Sequence, residues 1–184
     1  MRSLILVVVV VFVVNRILET NGFHFGDTIS FKTRCKAGFK YKHFAVYVGK
    51  GNEHNLPKTD AQDIYERLKS GPSPRCVFSE LSQYEEPQVE NYLDDYTDPK
   101  TGITFQRGTD DEIRGRIIET NNNCDRYVLL SNNCEHHANY VRYGHKIAEQ
   151  FNLTGEGRCF NNPRINTQAL GQYLRESCSS DPAG

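Results

Sequence analysis

Ser131-Asn132-Asn133-Cys134-Glu135-His136-His137 is the stretch on which the reading of this chain turns. Tyr127-Val128-Leu129-Leu130 before it reads as a short strand, and the polar Ser-Asn-Asn as a tight turn. A helix then opens at or just after Cys134. Backbone N–H groups point outward at a helix N-terminus and the dipole there is positive, a setting that favours thiolate over thiol. A cysteine in a secreted chain is by default a half-cystine. The polar, turn-forming flanks and the helix start weigh against that default for Cys134.

A thiol nucleophile needs a base from elsewhere in the chain. The best candidate is His43, at the entry of the apolar run Phe44-Ala45-Val46-Tyr47-Val48. Gly49-Lys50-Gly51-Asn52 is a hairpin-turn signal, and Glu53-His54-Asn55-Leu56-Pro57 would begin the returning strand. In such a hairpin His54 lies beside His43, where paired strands bring side chains within about 5 Å, and could fix its tautomer. His43, His54, Cys134 and His136 or His137 could in principle hold zinc, but no local ligand spacing supports a metal site. Glu135 and His136 are better read as serving the helix start.

The rest of the chain fits an α+β domain. Phe25-Gly26-Asp27-Thr28-Ile29-Ser30-Phe31-Lys32 alternates as a half-buried strand does. Ile64, Tyr65 and Leu68 are spaced for one helical face, so residues Asp60–Ser73 are expected to be a short helix ended by Gly71-Pro72. Arg75–Leu81 reads as a short strand or loop, and Ser82–Phe105 as loop anchored through Tyr92-Leu93. Asp110-Asp111-Glu112 supplies first-turn acids to a helix continuing through Ile113–Thr120. A long helix is expected over Asn133–Gln150, interrupted at Gly144, where it kinks or ends, and one more short helix over Thr167–Glu176.

The 184 residues suffice for one domain with a real core. With 22 basic and 23 acidic residues of mixed placement, the chain offers no electrostatic case for nucleic acid. Arg2 followed by the apolar run Leu4–Val14 is too short for a membrane span and fits a secretory signal peptide cleaved before Phe23. Arg16 just after that run keeps an uncleaved N-terminal anchor as the alternative. Export suits disulfides among Cys35, Cys76, Cys124, Cys134, Cys159 and Cys178, with a pairing the sequence does not choose. Asn152-Leu153-Thr154 is a glycosylation sequon, in keeping with a secreted or luminal chain. The expected organisation is a leader over 1–22, a catalytic domain over 23–150 and a partly disordered extension over 151–184.

Asn133-Cys134-Glu135-His136 with Asn139, Arg142, Tyr143 and Gly144 resembles the signature of the lecithin retinol acyltransferase family, which includes the H-Ras-like suppressor phospholipase/acyltransferases. Tyr41–Gly49 looks like the same family's histidine strand and Phe25-Gly26-Asp27 like its opening strand, so the resemblance covers roughly Phe23 to Lys146. It implies a circularly permuted papain-like or NlpC-type fold: a small antiparallel sheet packed against helices, with the nucleophile at the start of a long helix. It further implies Cys134 as nucleophile, His43 as general base and His54 as polar third member. The implied substrate is a glycerophospholipid ester at a membrane surface, opened through a thioester acyl-enzyme, with no cofactor or metal. The alternatives are an inactive binding or signalling member and a related cysteine peptidase or amidase. Two departures stand out. His137 replaces a usual aromatic such as Phe, and the His43–His54 interval is one residue short, a change that flips a strand's facing side chain unless the turn absorbs it.

Overall fold

The computed structural model describes residues 22–32, 34–36, 39–69, 75–99, 101–128 and 132–148. The proposed leader, the sequon, Cys159, Cys178 and the Thr167–Glu176 helix lie outside the described residues. Among the described residues no helix is long and apolar enough to cross a membrane.

Among the described residues, seven strands and two α-helices make up an α+β fold. The strands are β1 (Thr28–Ser30), β2 (Arg34–Lys36), β3 (Phe39–Tyr41), β4 (Phe44–Tyr47), β5 (Ile64–Leu68), β6 (Arg75–Ser79) and β7 (Gln88–Val89). The helices are α1 (Asp110–Asn122) and α2 (Cys134–Tyr143). Five strands form one antiparallel sheet in the order β6-β5-β4-β1-β7, and β2 and β3 pair as a separate hairpin.

Side chains alternate across the sheet, and here both faces are covered. Phe44, Val46, Tyr65 and Phe78 meet Ile113 and Ile117 of α1 and Ala138 and Val141 of α2. Ile29, Phe31, Ala45 and Ile64 pack on the other face with Leu81, Tyr47 and Tyr84. Double coverage explains why β4 reads as an unbroken apolar run. Ile29, Val46 and Ile64 are fully buried, each contributing roughly 1.5–3 kcal/mol of transfer free energy. Leu93, Tyr96 and Phe105 dock the long polar loop onto Tyr143, the last residue of α2, and Ile147 beyond it, as Tyr92-Leu93 led one to expect.

Both helices begin on side-chain caps. Thr109 and Glu112 form a capping box ahead of α1, whose first turn carries Asp110, Asp111 and Glu112. Asn133 caps α2, its Oδ1 accepting from the N–H groups of Glu135 (2.9 Å) and His136 (3.1 Å). α2 stops at Gly144, whose φ of 78° closes the helix in the left-handed conformation. The long helix expected to run to Gln150 is therefore a shorter one, ended by the glycine that had marked its interruption.

Two expectations are overturned. Residues 64–68 form a strand, not part of a helix: β5 pairs with both β4 and β6, and Ile64–Glu66 is buried on both faces. The Ile-Tyr-x-x-Leu spacing that suggested a helix is an accident of two covered sheet faces. The strand returning from β4 also does not start at Glu53. Positive φ at Gly49, Gly51 and Asn55 turns the chain into a loop, and pairing resumes only at Ile64. Of the strand expected over Tyr127–Leu130, the structure shows a single bridge between Val128 and Asn132, and Leu129 and Leu130 lie outside the described residues.

Candidate active site

Cys134 is the first residue of α2 and is 5% exposed. Its thiol is free, while Cys76 of β6 and Cys124 beyond α1 form a disulfide. His43 immediately precedes β4, its ring 20% exposed, and it lies within hydrogen-bonding reach of Cys134. Sequence positions 91 residues apart are thus brought together by α2 packing across β4 and β5.

The partner on the far side of the imidazole is Glu66. His43 Nε2 lies 2.5 Å from Glu66 Oε2, and the carboxylate side chain is fully buried. The register explains the contact: Glu66 is paired with Ala45, which shares a sheet face with His43 two residues earlier. With Nε2 committed to Glu66, Nδ1 is the nitrogen left for Cys134. Tyr84 completes the support. Its hydroxyl lies 2.7 Å from both oxygens of Glu66, and its ring stacks on Phe31 at 4.3 Å. Both rings lie nearly parallel to that of His43, 5.7 Å away.

The electrostatics follow from this arrangement. Burial works against an imidazolium at His43, but hydrogen bonds to Cys134 and Glu66 and the charges of both outweigh it, and the pKa is pushed up to about 10. Burial likewise opposes a carboxylate at Glu66, yet hydrogen bonds from His43, Ser79 and Tyr84 and the histidine's charge hold its pKa below the usual range. Near neutral pH the buried pair is therefore imidazolium and carboxylate.

His54 does not join this group. Its ring stacks on Phe25 at 3.5 Å, and its carbonyl accepts from Arg114 Nε. Gly26, beside Phe25, donates its N–H to Tyr47, whereas His43 accepts from Phe31 N at the opposite end of β4. Four residues of strand place these ends about 13 Å apart. The short interval from His43 was the sequence's hint of this; the loop after Gly49 does not restore the strand register.

His136 is fully buried with Nδ1 3.0 Å from Asn133 Oδ1, so it serves the helix start. Glu135 accepts from the Tyr92 hydroxyl at 2.6 Å. His137 lies against Tyr65, its Nε2 without a partner among the described residues, and burial followed by the nearby charges of Arg67 and Lys146 pushes its pKa down to about 3. No group of three or more His, Cys, Asp or Glu residues among those described is placed to hold a metal ion.

A family model for lecithin retinol acyltransferase matches residues 21–147. The chain belongs to the lecithin retinol acyltransferase family. Among curated proteins, none matches the chain. Membership of the lecithin retinol acyltransferase family points in general terms to acyltransferase or phospholipase-type chemistry. The matched span contains His43, Glu66, Tyr84 and Cys134. Sequence reasoning missed Glu66 and Tyr84. The available signal for Glu66 was the β-branched and aromatic pair Ile64-Tyr65, which favours a strand and would have set Glu66 across from His43.

Proposed function

We propose that this protein is a thiol-dependent phospholipase or acyltransferase that opens glycerophospholipid acyl esters through a thioester on Cys134. The observation that carries the reading is His43 held between Cys134 and the buried carboxylate of Glu66. Cys134 is the nucleophile, His43 the acid and base, and Glu66, in place of His54, orients the ring and stabilises its charge. In this reading the fold is a permuted relative of papain-like hydrolases, with base and orienting group preceding the nucleophile in the chain.

Attack by the Cys134 sulfur on the ester carbonyl forms the C–S bond. As the tetrahedral intermediate collapses, the C–O bond to the glycerol breaks and His43 protonates the departing alkoxide. Water, an amine or an alcohol then attacks the thioester, giving its proton to His43 as the thiolate leaves. The positive end of the α2 dipole opposes the charge that builds on the carbonyl oxygen. Cys134 is nearly buried, so little of its surface is open to an acyl ester. The Cys76–Cys124 disulfide supports residence in the secretory lumen or outside the cell, with 1–22 as leader or anchor, 23–150 as catalytic domain and 151–184 as extension.

The test is to incubate the purified chain and a Cys134→Ala variant with labelled phosphatidylcholine, with and without an amine acceptor. Acyl release or transfer that disappears in the variant supports the assignment. Folded wild-type protein that neither releases nor transfers the chain sinks it.

A further inference from the structure

β5 carries two adjacent charged residues whose side chains leave opposite faces of the sheet. Glu66 turns toward His43, and Arg67, 2% exposed, turns toward the helices. The Arg67 guanidinium donates through Nη2 to the Asp125 carbonyl and through Nη1 to Asn132 Oδ1 at 3.2 Å. Asn132 in turn donates through Nδ2 to the Arg126 carbonyl at 2.9 Å, and its backbone exchanges hydrogen bonds with Val128 at 3.1 and 2.8 Å. One buried side chain thus ties together both ends of the segment that leads from α1 into the active-site helix. Asn132 directly precedes Asn133, the cap that sets where α2 begins, and so precedes Cys134 by two residues.

A second tie, this one covalent, lies beside the first. Cys76 is the β6 residue paired with Arg67, and its disulfide partner Cys124 is the neighbour of Asp125. The disulfide fixes where the segment starts, and the guanidinium anchors both of its ends to β5. An arginine suits this task because its planar fork serves two acceptors at once, whereas a lysine ammonium is a compact point charge on a flexible stem.

We propose that Arg67 is a positioning residue for Cys134: its guanidinium ties Asp125 to Asn132 and thereby sets the place at which the Cys134 sulfur meets His43. The proposal rests on the reading of Cys134 as nucleophile. It makes the dipeptide Glu66-Arg67 the common support of the site, one residue holding the base and the next holding the nucleophile's turn.

Three variants of the full chain test this: Arg67→Met, Arg67→Lys and Asn132→Ala. Each is followed by the pH dependence of Cys134 alkylation with iodoacetamide, by kcat and KM on phosphatidylcholine vesicles, and by thermal unfolding. Misplacement of the sulfur is expected to lower kcat by about 10- to 100-fold with KM little changed. Alkylation at neutral pH is expected to slow, as the sulfur loses its contact with the imidazolium. Arg67→Lys is expected to fall between wild type and Arg67→Met. Should Arg67→Met fail to fold, Asn132→Ala and Arg67→Lys decide the matter. Folded variants with the wild-type alkylation profile and wild-type kcat would overturn the proposal. Alkylation reads the sulfur without lipid, so a wild-type protein inert toward phospholipid refutes the proposed function while the alkylation profiles still judge Arg67.

Discussion

Replacing Glu66 with glutamine keeps the side chain's shape and its capacity to accept from Tyr84, but removes the charge 2.5 Å from His43 Nε2. His43 is pushed from 6.5 to about 10, against its burial, by Cys134 and Glu66 together. A hydrogen bond to a charged group contributes about 1.5–3 kcal/mol, so losing it should lower the His43 pKa by about 1 to 2 units. A group with a raised folded pKa contributes stability that is complete below its unfolded pKa and lost as pH rises through the folded one. The wild type should therefore lose stability between pH 6.5 and about 10 as His43 releases its proton, and Glu66→Gln should lose less and finish earlier. The assay is an NMR titration of the His43 ring nitrogens in both proteins, with urea unfolding measured at several pH values across the same window. Activity should follow, because deprotonated His43 cannot protonate the leaving alcohol; the alkaline limb of kcat/KM should move down by the same interval. A His43 titration unmoved in a folded Glu66→Gln protein would refute the assignment of Glu66.

Three further outcomes are expected. His54→Ala should lose about 1 kcal/mol of stability with its stack on Phe25, yet keep activity far above the roughly 100-fold loss expected when acid–base catalysis fails; a hundredfold loss in turnover would restore His54 to the site. His137→Phe should resist acid better, because a buried histidine pushed from 6.5 down to about 3 costs stability progressively below pH 6.5, about 3 kcal/mol by pH 4. Parallel stability curves for the two proteins between pH 6.5 and 4 would count against that. Removing the disulfide with Cys76→Ser and Cys124→Ser should cost about 4 kcal/mol for a loop spanning 48 residues, read as a lower urea midpoint; an unchanged midpoint would mean that the bridge does not form in solution.

What was legible in the sequence was local. The Asn133 cap, the helix start at Cys134, the acids opening α1, the opening strand and the apolar β4 each follow from propensities acting over a few residues. Gly144 was signalled as a kink or an end, and it is the end. What was not legible depends on tertiary partners. Glu66 and Arg67 are good helix formers in isolation, and they lie in a strand because each has a buried partner, His43 on one face and the Asn132 turn on the other. Periodicity is blind to a polar residue whose burial is compensated from across the sheet. The same limit applies to His54: pattern alone continued the strand after the Gly49 turn, while the left-handed backbone at Gly51 and Asn55 carried it toward Phe25.

Whether Cys134 accepts the acyl chain can be read by intact-mass spectrometry after brief incubation with phosphatidylcholine and an acid quench. A mass increase of one acyl group is expected that maps to Cys134, is released by hydroxylamine and is absent from Cys134→Ala. A folded protein that turns over the lipid without this adduct, and does so equally well as Cys134→Ala, would contradict it.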